Sequence, residues 1–131
     1  MKKFGMALMT VFLFSLITTQ LFAVSIPEGV INSLKTGNAK ELSKFFNTNI
    51  ELAVLDKEDV YSKTQAEVIL ADFFKQNTVS GFTVVHQGGK EGSQYVIGNL
   101  TTSKGTFRVN IYLKEVNQKT VISQLRIDKG E

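Results

Sequence analysis

The sequence predicts an α+β fold in which N-terminal helices pack on a curved antiparallel sheet, giving a cone-shaped barrel. Residues 61–77 place apolar side chains at helical spacing, whereas residues 81–127 alternate apolar and polar side chains in runs that turn residues separate. The long helix carries Phe73 and Phe74, which need a sheet face to cover them. One helical layer on one sheet is therefore the expected architecture.

The first 23 residues are predicted to be a secretory signal peptide. Lys2 and Lys3 form a basic start, residues 4–22 are apolar and uncharged, and Ala23 offers a small residue for cleavage. We therefore expect a leader at residues 1–23 and a single domain at residues 24–131, exported to the periplasm or the extracellular space. The open alternative is a retained membrane anchor, because the apolar run is just long enough to span a bilayer.

Charge and cysteine content exclude several kinds of function. The chain has 15 basic residues, of which two lie in the leader, against 12 acidic residues, so the mature domain has a net charge of only +1 and no basic stripe for nucleic acid. It has no cysteine, which excludes thiol catalysis and thiolate metal sites. A single histidine, His86, makes a poor metal site. Neither a cofactor nor a metal is predicted.

Two short helices are expected at the start of the domain. Ser25 and Glu28 fit a capping box around Pro27, and Gly37 ends the first helix in a left-handed conformation. Asn38 then begins a second helix at once. The apolar stripe of this second helix is predicted to be Ala39, Leu42, Phe45 and Phe46.

A short strand at residues 50–55 and a charged loop at residues 56–59 are expected to lead into the third helix. Ser62 or Thr64 caps that helix, with Gln65 or Glu67 closing the box. Its apolar side is predicted to hold Ala66, Ile69, Leu70, Phe73 and Phe74.

Four strands then form a predicted meander. Period-two alternation indicates strands at residues 82–87, 94–102, 107–114 and 121–127, joined through turns at 88–92, 103–105 and 117–118. In the first strand Phe82, Val84 and His86 share one face, and in the second Tyr95, Ile97 and Asn99 lie opposite Val96, Gly98 and Leu100. The side chains predicted to face the core are Phe107, Val109, Ile111 and Leu113 in the third strand and Val121, Leu125 and Ile127 in the last, with Ser123 among them. The opposite face of the third of these strands carries Arg108, Asn110, Tyr112 and Lys114.

This element order resembles the nuclear transport factor 2-like barrel, also called cystatin-like or SnoaL-like. More narrowly, the chain is similar to a bacterial family of small secreted proteins, domain-of-unknown-function family 4783. The resemblance rests on YSKTQAEVILADFF at residues 61–74, VVHQGG at 84–89, QYVIGNL at 94–100 and TFRVNIYLK at 106–114. It implies the fold and export, and it implies no reaction.

Some relatives of this fold are isomerases, dehydratases and cyclases that use a carboxylate or histidine base inside the cone. This chain departs from that pattern. Residues 26–46 contain no Tyr, Asp or His, and the inward positions of residues 107–113 are wholly apolar. The alternative that remains is an isomerase-type or hydrolase-type enzyme using His86 with Asp72 or a tyrosine.

The leading hypothesis is an exported, non-catalytic domain that binds a small apolar ligand in its cavity or a protein partner on its sheet face. The ligand-binding candidates are Phe73, Phe74, His86, Tyr95, Phe107 and Ile111. A second alternative is a structural homodimer with a filled core, for which the dimer-face candidates are Arg108, Asn110 and Tyr112. A membrane would be a partner only if the N-terminal segment is retained.

Overall fold

The structure, a computed structural model, describes residues 26–130. The predicted leader, Ser25 and Glu131 lie outside these residues. Three helices and six strands are present: α1 Glu28–Thr36, α2 Ala39–Ser43, β1 Phe46–Val54, β2 Lys57–Ser62, α3 Lys63–Gln76, β3 Val79–Lys90, β4 Ser93–Thr102, β5 Gly105–Val116 and β6 Lys119–Lys129. Among them, no helix combines the length and apolar character needed to cross a bilayer.

The helix ends show the predicted capping chemistry with one exception. Gly37 ends α1 with a φ of 63°, in the left-handed region that glycine tolerates. The Asn38 side chain accepts a hydrogen bond from the Glu41 backbone N–H at 3.1 Å and so starts α2. The exception is α1, which begins after Pro27 without a side-chain cap.

The third helix is fixed at its start by a reciprocal capping box. Gln65 N–H donates to the Ser62 hydroxyl at 3.2 Å, and Ser62 N–H donates to the Gln65 side chain at 3.3 Å. Ser62, rather than Thr64, is therefore the cap. The box holds α3 directly at the end of β2, so the helix direction is set by the strand before it.

The six strands form one sheet in the order β2-β1-β6-β5-β4-β3. The four-strand meander from β3 to β6 is confirmed, and every neighbouring pair is antiparallel except β1 with β6, which is parallel. The charged loop predicted at residues 56–59 is wrong. Residues 57–62 are a strand, because pairing along the whole of β2 outweighs the low strand preference of charged residues at an exposed sheet edge.

Two further boundaries differ from the prediction. The second helix ends at Ser43, and Phe46 opens β1, where it pairs with Ile122 of β6. Phe46 is still buried, because its side chain is directed inward from the strand instead of from a helix. The turn predicted at residues 88–92 shrinks to Glu91 and Gly92, since the glycines before it continue the ladder with β4.

The core lies between the helices and the inner face of the sheet. The inward residues predicted for β5 are confirmed, since all four are buried. In β6, however, Ile122 is fully buried in place of Val121. A β-bulge at Ser123 lets Tyr112 pair with Gln124 and Leu113 pair with Ile122, which reverses the alternation. Fully buried side chains that meet there include Leu34, Leu42, Leu70, Ile111, Leu113, Ile122, Leu125 and Ile127.

Gly98 is a position in β4 where the packing of the core leaves no space for a side chain. A Cβ atom built there would lie 2.3 Å from the Phe82 ring and 2.7 Å from the Thr83 carbonyl oxygen. Phe82 therefore packs over the glycine backbone of the neighbouring strand and is almost fully buried. Val84, two residues further along β3, shares the face of Phe82 as predicted, but it is 37% exposed at the sheet edge.

Replacing Gly98 with alanine should destabilise the fold by about 1–3 kcal/mol, because the added methyl displaces a buried ring. Urea unfolding followed by circular dichroism measures the change. Gly81→Ala is the matched control, since a Cβ atom there meets nothing within 4 Å. Equal effects of the two substitutions would contradict this account.

The turn between β5 and β6 contains two residues with a left-handed backbone conformation. Asn117 and Gln118 have φ values of 50° and 65°, and the left-handed region suits asparagine better than glutamine. We expect Gln118→Gly to raise the free energy of unfolding by about 0.5–1 kcal/mol, because it relieves a strain of roughly 1–2 kcal/mol at some cost in chain entropy. Lys104→Gly, in a turn but not at a positive φ, should give no gain in the same urea titration.

Candidate functional site

The predicted cavity wall is part of a packed core. Ile111 and Phe107 are buried, and the Phe107 ring meets the Phe73 ring edge to face with centroids 5.2 Å apart. Phe73 also contacts Phe74 edge to face at 5.7 Å. Four surface pockets stand out within residues 26–130, and neither Phe107 nor Ile111 lines any of these four.

His86 lies on the outer face of the sheet, so the prediction that it shares the inner face with Phe82 is wrong. The register of β3 against β4 shifts between Val84 and His86, which makes Val85 a bulge residue. Val84 pairs with the inward Gly98, whereas His86 pairs with the outward Ile97. The one extra residue in the strand therefore places the imidazole on the opposite side of the sheet from the side that regular alternation predicts.

Tyr95 joins His86 on this outer face. Its phenol oxygen lies 2.8 Å from His86 Nε2 in a hydrogen bond, and the two ring centroids are 5.5 Å apart. The tyrosine crosses over Gly88, where a Cβ atom would lie 2.8 Å from the hydroxyl. His86 and Tyr95, two of the residues predicted to line a ligand cavity, are thus in contact with each other, but on the outer face of the sheet.

Asp72 lies on the helical side of the molecule, away from His86. It is exposed on α3, accepts a hydrogen bond from Gln76 at 3.2 Å, and borders a cleft of about 250 Å³ beside the β1–β2 turn. His86 occupies the edge strand at the other end of the sheet. The structure therefore does not bring the two together, and in its described part no carboxylate is hydrogen bonded to His86.

The outer face of the sheet, called the open face from here on, is organised as two registered rows that cross all six strands. The strand pairings place directly opposite residues on the same side. From β3 to β2, the first row is Gly88, Tyr95, Tyr112, Gln124, Glu51 and Val60, and the second is His86, Ile97, Asn110, Arg126, Ala53 and Glu58.

All three predicted dimer-face residues lie on the open face. Tyr112 is 45% exposed near its centre. Asn110 is half-buried beside it, and Arg108 is exposed and donates to Asn99 Oδ1 at 3.2 Å. The open face is thus a tyrosine-centred surface bordered by amide and charged groups.

Charge is divided unevenly across the open face. On the β1–β2 side, Glu51, Glu58 and Asp59 line a groove of about 210 Å³. Arg126 lies 3.4 Å from Glu58 and 3.1 Å from Asp128, so its charge is already matched. On the β5 side, neither Arg108 nor Lys114 belongs to an ion pair within residues 26–130. The ion pairs among the described residues are Lys44–Glu41, Arg126–Glu58 and Arg126–Asp128.

The part of this surface that β2 contributes was not predicted from the sequence. Glu58 and Val60 lie on β2, where the sequence predicts a charged loop, although Val60 and Tyr61 are residues that favour strands. In the part of the chain that the structure covers, no three His, Asp or Glu side chains gather where they could hold a metal ion.

Comparisons with known proteins agree with this architecture. The family described as Domain of unknown function (DUF4783) matches residues 27–128. The crystal structure of a DUF4783 family protein from Bacteroides ovatus is 42% identical, with a TM-score of 0.78, over 81% of this chain and 96% of that one. Its counterpart from Bacteroides fragilis is 40% identical, with a TM-score of 0.77, over 81% of this chain and 100% of that one.

More distant structures concern the fold alone. A solved structure of the nuclear transport factor 2 type is 17% identical, with a TM-score of 0.62, over 76% of this chain and 90% of that one. No curated protein matches the chain. The resemblance inferred from the sequence is confirmed, and the chain belongs to the DUF4783 family, here with a nuclear transport factor 2-like α+β fold.

Proposed function

We propose that this protein is an exported, non-catalytic interaction domain that binds a second copy of itself through the open face. The observation that carries the proposal is the contrast between the two faces of one sheet. The inner face is filled by side chains such as Ile111 and Leu125, whereas the outer face leaves Tyr112 45% exposed at its centre. An exposed aromatic centre with a polar border is a common composition for a protein interface.

The size of the open face fits a stable dimer. Six strands spaced about 4.8 Å apart are about 24 Å wide, and the ten residues of β4 extend about 33 Å. The product, about 800 Å², is the area that each partner of a standard-sized complex buries. The apolar residues available within it are Tyr95, Ile97, Tyr112 and Val60.

The charge division favours a second copy as the occupant. A two-fold axis that runs along the strands near the middle of the sheet would lay the β1–β2 side of one copy on the β4–β5 side of the other. A rotation about this axis keeps each residue at its own position along the strands, so Glu51 of each copy would face Tyr112 of its partner, one outward position from Lys114. Such an interface is self-complementary, as two-fold symmetry requires.

Catalysis has less support. The only histidine is hydrogen bonded to a phenol on an exposed sheet face, with no carboxylate bonded to it among the described residues. A general base needs a partner that orients it and a site that excludes water. Asp72, the carboxylate considered for that role, borders a different surface.

Tyr112→Glu should abolish self-association, because it places like charges near one another at the centre of the interface. We expect the dissociation constant to rise by at least about 30-fold, the effect of losing a central aromatic anchor. Sedimentation velocity over a range of protein concentrations measures it. Val68→Glu is the control, since Val68 is 65% exposed on α3 and off the open face. A wild-type chain that stays monomeric at every concentration would overturn the proposal.

Charge reversal tests the arrangement of the two copies. Glu51→Arg and Lys114→Glu should each weaken the dimer by a few-fold to about tenfold, because each brings like charges together. The double variant should recover part of the loss, as the same sedimentation experiment would reveal. If the double variant is weaker than both single variants, the two copies are not related as described.

A further inference from the structure

The two edges of the sheet are not equivalent. The edge strand β2 has six residues and carries three consecutive charges from Lys57 to Asp59, a pattern that discourages pairing with another chain. The other edge strand, β3, has twelve residues and carries no charge from Val79 to Gly89, with His86 neutral. Only β2 therefore has the charged protection that natural edge strands commonly use.

The second half of β3 is open along its free edge. Gly37 at the end of α1 packs against Val79, so the helix reaches the first residues of the strand. Residues 83–87 are all exposed, and Val85 is 54% exposed. Within residues 26–130, no residue of β3 makes a backbone hydrogen bond outside the sheet ladder. Alternate N–H and C=O groups on this edge are thus free to pair.

We infer that the free edge of β3 from Val84 to Lys90 accepts an extended segment of a partner polypeptide as an added strand. Backbone pairing would supply the affinity, and the side chains on the edge select what is added. The added strand would use the backbone groups of the free edge, whereas the second copy would be centred on Tyr112; the two contacts share Tyr95.

Two features of the edge define the chemistry of the partner segment. Gly88 has no side chain, and the Tyr95 hydroxyl passes over it toward the edge, hydrogen bonded to His86. Tyr95 thus fills the space above Gly88, and an aromatic side chain opposite Gly88 on the added strand would pack against the Tyr95 ring from the free edge. At the end of the edge, Lys90 makes no ion pair in the described part of the chain, so an acidic residue fits opposite it. The expected partner is an otherwise uncharged strand with one aromatic residue and an acidic residue at its end.

The bulge at Val85 limits where the strand is added. It interrupts the ladder register between Val84 and His86, so a straight partner pairs regularly from His86 to Lys90 and meets Val84 and Val85 at the irregular end of the same segment. Five residues from His86 to Lys90 then give a short, specific register rather than an open-ended sheet edge. This explains how the edge could serve one partner without promoting aggregation.

The test uses a synthetic peptide, acetyl-Asp-Thr-Tyr-Thr-Val-Thr-Val-amide, and the Tyr112→Glu protein, in which self-association through the open face does not contribute. Antiparallel addition with the aspartate beside Lys90 puts the tyrosine beside Gly88. We expect the peptide to slow amide hydrogen exchange in residues 84–90 and leave β2 unchanged. Two N-methylated peptides, each with one alternate set of its amides blocked, should differ in affinity for the protein. The reason is that a strand added at an edge pairs through only one of its two sets of amides.

Matched charge substitutions locate the site. Val85→Lys on β3 should lower peptide affinity by about tenfold, whereas Val60→Lys on β2, at a valine that is 59% exposed, should leave it unchanged. Equal losses, equal binding by the two N-methylated peptides, or absence of binding at millimolar peptide would overturn the inference. Exchange protection of β3 that appears without peptide as protein concentration rises would assign the edge to a second copy and overturn it as well.

Discussion

The parallel pairing of β1 with β6 is the constraint on which the rest of the architecture depends. It joins the N-terminal half of the chain to the C-terminal meander, and Leu52, Ala53 and Val54 match Leu125, Arg126 and Ile127 in register. Through β1 it carries β2, and the Ser62 cap at the end of β2 starts α3. The helix is thereby placed over the inner face, where Phe73 meets Phe107. Both the closed core and the width of the open face result from this one ladder.

This arrangement places the buried side chains on one face of the sheet and the aromatic groups with polar handles on the other. Side chains that a cone-shaped fold could use to surround a ligand pack against each other, and dispersion contacts rather than a cavity occupy the space between α3 and β5. The aromatic groups with polar handles lie on the other side, where Tyr95 and Tyr112 are neighbours on adjacent strands. One face of the sheet is therefore packed against the helices, whereas the other leaves Tyr112 exposed.

Much of the fold could be predicted because the local signals are strong. Gly37, Asn38 and Ser62 end or start helices through specific backbone chemistry, and the β5 alternation identified its buried face. Features that depend on register could not be predicted. The bulges at Val85 and Ser123 each interrupt the alternation of inward and outward side chains along their strands, and no residue type marks them. Strand β2 was missed because long-range pairing, not its charged sequence, makes it a strand. The outward positions of β5 were therefore predicted correctly, whereas His86 was predicted on the wrong face.

The bulge at Val85 also bears on how this edge can change over evolutionary time. Losing that single residue would leave Val84 opposite Gly98 and His86 opposite Ile97, because both partners already flank the bulge in the ladder. Losing a residue within 86–90 would instead move every later side chain of the strand to the other face. The bulge is thus a point where chain length can vary while the two faces keep their side chains. In family alignments, a gap at this position is compatible with the same surface, whereas a gap a few residues later implies a different one.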